Sequence, residues 1–214
     1  MIVVLGRPEV RRPEPDGELV PGGLAAEVAL AIGRAAVDVE IVGSIGDDPE
    51  GDRVVIELGR ADVGHAALLR DPAARTPSVG RAATERDLPR LDAADVELGL
   101  RYVPQCRVLV LADLFDQKAL STALEAADYH GAAVVMVAPV GSVDAESLSD
   151  SVTLLERPAP EDHEDDSDPA SIAADEVAFA GFIAEYAVRL DRGETPAKAF
   201  AAALGDSAWE PSAD

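Results

Sequence analysis

The chain has 214 residues, which suits one large domain with a substantial hydrophobic core better than two small ones. Its 41 acidic residues against 18 basic ones give a formal net charge of −23, which opposes binding to nucleic acid or to an anionic membrane surface. A hydrophobic share of 48% excludes a disordered acidic chain, and charges spread along the sequence leave no apolar run long enough to span a bilayer.

Finer composition narrows the setting. Lys118 and Lys198 are the only lysines, Asp outnumbers Glu, and there is no asparagine. This balance resembles that of halophilic proteins, because concentrated salt screens surface charge within a few ångströms. The lone Cys106 excludes an internal disulfide, and the opening Met-Ile-Val-Val-Leu-Gly lacks a secretory pattern, so a cytoplasmic location is expected.

In chain order, Ile2 to Leu5 is a short β-branched run of the kind that forms a strand buried on both faces, and residues 7 to 21 read as a loop or reduced strand. A helix is expected over Leu24 to Ala36, a strand over Val37 to Val42, and a helix over Gly51 to Arg60. Residues 71 to 90 open with an Asp71-Pro72 turn, and Thr76 to Ala83 could form a short edge strand. Strands at Val108 to Leu111, Val134 to Val137 and Val152 to Leu155 alternate with a helix over Gln117 to His130 and a weaker one over Val143 to Ser149. Strand alternating with helix implies an α/β domain over 1–204 with a doubly wound, mostly parallel sheet. Residues 156–168 hold seven acids against one Arg and read as a solvated loop, His163 included. A long helix follows, with Asp168 as N-cap, Pro169 at its first position and a face of Ile172, Val177, Phe179, Phe182, Ile183, Tyr186 and Leu190. Pro196 to Leu204 forms a closing helix, and 205–214 is a tail whose Trp209 is docked or exposed. His65 and His130 have ordinary structural readings, and Cys106 reads as a small core residue. There is no phosphate loop of the Gly-x-x-x-x-Gly-Lys-Ser/Thr kind and no Cys/His metal spacing.

Three segments carry a resemblance. Gly22-Gly23 opens a helix through Ala25-Ala26-Glu27. Val42-Gly43-Ser44-Ile45-Gly46-Asp47-Asp48-Pro49-Glu50-Gly51 follows, then a helix ending in Ala61-Asp62-Val63. Near the far end stand Ala173-Ala174-Asp175-Glu176-Val177-Ala178-Phe179-Ala180-Gly181-Phe182 and Thr195-Pro196. In this order the chain resembles the ribokinase-like, PfkB-type carbohydrate kinases. The resemblance implies a substrate site at Gly22, Gly23, Glu27, Gly46 and Asp47, and it puts Glu176 at the position of the catalytic base, with Asp175 one place out of register. The departures bear on activity. Ala173 and Ala174 replace the glycines whose N–H groups hold the transferring phosphate, Glu27 replaces a sugar-contacting Asn, and the family's Asn-x-x-Glu metal motif cannot exist in this chain. The lid and the nucleotide-site strands look reduced.

The expectation is therefore a ribokinase-like protein that has lost phosphotransfer and serves as a binding or regulatory protein, a homo-oligomer with a small sugar or nucleoside as ligand. No cofactor, metal, nucleic-acid or membrane partner is expected. The alternative is a reduced ATP-dependent sugar or nucleoside kinase using Mg-ATP, with Glu176 or Asp175 as base. Gly22-Gly23 and Gly43 to Gly51 read first as tight turns of a doubly wound fold, and second as a surviving ligand pocket.

Overall fold

The computed structural model describes residues 1–13, 17–81, 84, 87–144, 148–149, 151–157, 169–206 and 209. The expected Asp168 cap, His163 and nearly all of the acidic loop lie outside them.

Six parallel strands form one sheet: β1 (Ile2–Leu5), β4 (Val39–Gly46), β5 (Gly64–Asp71), β6 (Val108–Leu111), β7 (Ala133–Pro139) and β8 (Val152–Arg157), in the spatial order β5-β4-β1-β6-β7-β8. The central strand β1 is wholly buried, and its four residues divide between the two faces as the period of two requires. Ile2 and Val4 point to one core and Val3 and Leu5 to the other. The first core is covered by α1 (Gly23–Arg34), α2 (Pro49–Arg60), α5 (Pro169–Asp191) and α6 (Pro196–Asp206), and the second by α3 (Ala93–Arg101) and α4 (Gln117–His130). A strand buried on both faces must be apolar throughout, which is why β1 and β6 were legible as unbroken runs.

A separate antiparallel hairpin, β2 (Glu9–Arg11) and β3 (Val20–Gly22), leaves the end of β1 and lies against α1 and α2. Two backbone hydrogen bonds tie it to residues 77–79, Val10 N–H to the Pro77 carbonyl at 2.8 Å and Val79 N–H to the Val10 carbonyl at 2.9 Å. Among the described residues, the expected strand over Thr76 to Ala83 is reduced to this single bridge at Ser78. The weak helix expected over Val143 to Ser149 is corrected too: Gly141 to Ser142 make a turn, and Val143, Asp144, Leu148 and Ser149 are not helical.

Two elements escaped the sequence reading. In β5 the exposed positions carry Ala66 and Arg70 and His65 is half-buried, as an edge strand allows, so no apolar run marks it. α3 had a visible signal: Asp92 caps the helix and accepts from Asp95 N–H, while the Asp95 carboxylate accepts from Asp92 N–H, a capping box.

On α5 the long apolar face is largely as expected, with Phe182, Ile183 and Tyr186 fully buried, whereas Val177 is exposed. Phe182 stacks near Tyr186, meets Phe200 edge-on at 5.3 Å between centroids, and is covered by Trp209 at 4.7 Å. Trp209 is thus docked on the domain. Cys106 is buried, its thiol pushed up to about 11 chiefly by desolvation, which suits a core residue and not a nucleophile. Where β1 meets β4 the backbones approach so closely that a Cβ on Gly43 would lie 1.8 Å from the Gly6 carbonyl oxygen. Only glycine fits there.

Candidate functional site

The chain runs β1, β4, β5 to one side of the sheet and β6, β7, β8 to the other, so the order reverses between β1 and β6. The loops leaving those two neighbours diverge, and in open α/β sheets the crevice they leave at the carboxyl ends is where ligands bind. Here that crevice is a cleft of about 150 Å³. Arg7 follows β1, Asp113 follows β6, Arg157 ends β8, Glu176 projects from α5, and Glu9 of the hairpin covers it from above; Leu24, Val137 and Ala138 supply apolar wall.

The charges in the cleft are unevenly answered. Asp113 is fully engaged: it takes Arg7 Nε at 2.7 Å and Nη2 at 3.0 Å, and accepts from the backbone N–H of Arg7 and of Leu114. Glu176 has a looser ion pair, with Arg157 Nη1 3.6 Å from its Oε1. Burial raises its carboxyl above the usual range against the pull of Arg157, and Glu27 nearby adds to the rise. Glu9 is shifted furthest, to about 7, first by burial and then by the like charges of Glu176 and Asp113, with Arg157 and Arg7 only partly compensating. Glu9 was missed in the sequence because an acid next to two prolines and three arginines reads as surface loop; only the hairpin turns it inward.

Of the residues expected from sequence, Glu176 alone lines this cleft. Asp175, its neighbour, is exposed on the helix. Glu27 is 5% exposed on α1 and accepts from Arg11 Nε at 2.8 Å, so the hairpin clamps it from one side. Gly22 and Gly23 lie under the hairpin's own side chains: a Cβ on Gly22 would be 2.8 Å from Arg11 Cγ, and one on Gly23 would be 2.7 Å from Glu9 Cγ. Gly23 also has φ of +71°, which opens α1 in a conformation that glycine takes without strain.

Gly46 and Asp47 are on the other side of the switch point, where the backbone closes on itself. Gly46 N–H donates to Thr76 Oγ1 at 3.1 Å, and Asp48 accepts from Gly51 N–H, Thr76 N–H and the Thr76 hydroxyl at 2.8, 2.8 and 2.7 Å. Asp48 thereby caps α2, which begins at Pro49, and these donors hold its carboxyl below the usual range despite some burial. Asp47 is exposed and faces Arg70 at 3.5 Å. The resemblance found around Gly43 to Gly51 is carried here by a structural knot.

Ala173 and Ala174 lie within α5, four and five residues beyond its first residue Pro169. At that depth an N–H bonds to the carbonyl four residues back and is no longer free to receive an anion. Among the described residues no group of three or more His, Cys, Asp or Glu side chains could hold a metal ion, and no helix is long and apolar enough to cross a membrane.

This arrangement, a doubly wound parallel sheet with a short antiparallel hairpin beside its switch point, is the ribokinase-like fold. A protein described as Sa239 superposes with a TM-score of 0.61 at 15% identity, covering 99% of this chain and 95% of that one. A candidate ribokinase II from E. coli gives 0.53 at 15% identity over 95% of this chain and 69% of that chain. Aminoimidazole riboside kinase from Salmonella enterica, solved with aminoimidazole riboside and an ATP analogue, gives 0.53 at 16% identity over 68% of this chain and 51% of that chain. The chain covers 56% and 54% of an uncharacterised sugar kinase of Pyrococcus horikoshii in its two solved forms, so it spans about half the length of several proteins it matches. No protein-family model and no curated protein sequence matches the chain.

Proposed function

We propose that this protein belongs with the ribokinase-like carbohydrate kinases by descent and binds a small polyhydroxylated ligand, a sugar or nucleoside, in the β1/β6 cleft without transferring phosphate to it. The observation that carries the reading is the cleft itself, where Glu176 and Arg157 stand beside apolar wall at the sheet's switch point. Carboxyl and guanidinium groups in a partly apolar slot suit hydroxyls, which accept and donate at once.

Three features argue against transfer. Phosphoryl transfer depends on positioning and on neutralising negative charge at the phosphate. The N–H groups of Ala173 and Ala174 are spent inside α5. Asp113 and Glu176 would meet a triphosphate with like charge, as would Glu9 once ionised, and Arg7 is already engaged by Asp113. Finally, β8 is an edge strand, and only residues 158–168 separate it from α5.

One observation favours the rival reading of a reduced ATP-dependent kinase: a carboxyl raised by burial, as at Glu176, is a better base for a sugar hydroxyl. A thermal-shift screen of sugars, nucleosides and Mg-ATP in concentrated KCl separates the two, since a ligand at a hundred times its Kd adds about 2.7 kcal/mol of stability. Stabilisation by a sugar or nucleoside and none by Mg-ATP is the expected result. Stabilisation by Mg-ATP, with phosphate transfer abolished in Glu176→Gln, would establish the kinase.

A further inference from the structure

We propose that Glu9 is a proton-operated latch: its neutral carboxyl holds the β2–β3 hairpin down over Gly23 and the cleft, and its carboxylate releases the hairpin. The latch does not depend on which ligand the cleft takes.

The geometry begins with the hairpin. It is not part of the main sheet: its two strands pair with each other, and a single bridge of two hydrogen bonds, at Val10 and Val79, ties it to residues 77–79. A two-stranded ribbon of three residues a side is marginal by itself, so its position is set by what its side chains touch. Arg11 reaches Glu27 on α1, and Glu9 lies on Gly23, where even one methyl group would collide with it. The second contact can stay only while the Glu9 head tolerates its surroundings.

Those surroundings are charged on every side. Glu176 faces Glu9 from α5, Asp113 from the loop after β6, Arg7 from the segment after β1 and Arg157 from the end of β8; Glu27 and Arg11 form the next pair, close to Glu176. Each arginine is engaged by another carboxylate, Arg7 by Asp113 and Arg157 by Glu176. Ionising Glu9 in the closed state therefore adds a third carboxylate to a small, partly apolar space, whereas in an open state water would solvate it.

The sign follows from linkage. In the closed state the Glu9 carboxyl titrates at about 7, and in an open, hydrated state near its ordinary value of 4.5. Closure is fully favoured below about pH 4.5, weakens as pH rises, and has lost all of that advantage once pH passes the closed-state value. The two values differ enough to shift the closed-to-open ratio on the order of 100-fold.

Hydrogen–deuterium exchange of the unliganded protein in constant high salt, from pH 5 to 8.5 and corrected for the intrinsic pH dependence of exchange, tests the latch. Protection of the Val10 and Val79 amides is expected to fall on the order of 100-fold across this range, while Ala112 N–H, bonded to Leu5 in the sheet, keeps its protection. Glu9→Gln, neutral at every pH, should hold the hairpin at its acid level of protection up to pH 8.5. Glu176→Gln, which removes a like charge that opposes ionisation of Glu9 and frees Arg157 to face it, should move the midpoint of the fall in protection to lower pH, and a midpoint that moves to higher pH counts against the latch. Hairpin protection that does not change with pH in the wild type, or that falls equally in Glu9→Gln, overturns the proposal. Neither result bears on ligand binding, which the thermal-shift screen reports separately.

Discussion

Asp48 and Glu9 are both carboxyl groups at the carboxyl edge of the same sheet, on opposite sides of the switch point, and they have opposite fates. Asp48 meets three donors and stays ionised as part of a turn. Glu9 is placed among carboxylates and holds its proton up to about 7. Burial opposes charge at both positions and more strongly at Glu9, and only at Asp48 do directed donors outweigh it, so the balance of depth against donors decides whether a carboxylate is a staple or a titrating group.

The largest effect that could break this comparison is loss of the staple. Asp48→Ala strands the N–H groups of Gly51 and Thr76 and the Thr76 hydroxyl, and should cost about 3 kcal/mol, read from urea unfolding at pH 7. A loss below about 1 kcal/mol would mean that water replaces the carboxylate without cost. Glu9→Gln should act in the opposite direction, stabilising the protein by about 2 kcal/mol at pH 8, after allowance for partial exposure, and by nearly nothing at pH 4. An equal gain at both pH values would assign the effect to packing.

The two groups together predict where stability peaks. Groups such as Asp48 and Asp191, held low in the folded state, contribute stability above the ordinary value of 3.8 and lose it as pH falls. Glu9 contributes below 4.5 and loses it as pH rises through about 7. The melting temperature should therefore be highest on the acid side of neutrality, between these windows, and a maximum above pH 7 would contradict the assignment at Glu9. Thr76→Val, which keeps the shape and removes the hydroxyl shared by Gly46 and Asp48, is the finer probe, with an expected loss of about 1 to 2 kcal/mol. The smallest effect concerns the whole surface. With a net charge of −23, raising KCl from dilute to molar should increase the melting temperature by several degrees, and a flat response would remove the salt-adapted reading.

Much of the fold was legible because some local rules have one outcome. Ile2–Leu5 and Val108–Leu111 read as strands buried on both faces and Gln117–His130 as a helix, which the structure bounds with Asp116 as cap and Gly131 in the left-handed region at its end. The resemblance around Gly22-Gly23 and Gly43 to Gly51 pointed to the ribokinase-like fold, although at Gly43 the glycine is required by backbone contact. Glu176 was reached by register alone and proved to line the cleft.

What the sequence by itself determined, then, was the period and order of the elements, since alternation, caps and glycine turns act between residues close in the chain. Tertiary structure decided the chemistry of the carboxylates. Asp48 is paired with Thr76, 28 residues away, and Asp113 with Arg7, 106 residues away, while Glu9 meets Glu176 only because a hairpin and a distant helix converge on one cleft. Electrostatic environment falls off over ångströms in space, with no regard for separation along the chain, so no local reading of Glu9 could have distinguished it from any other acid in a proline-rich loop.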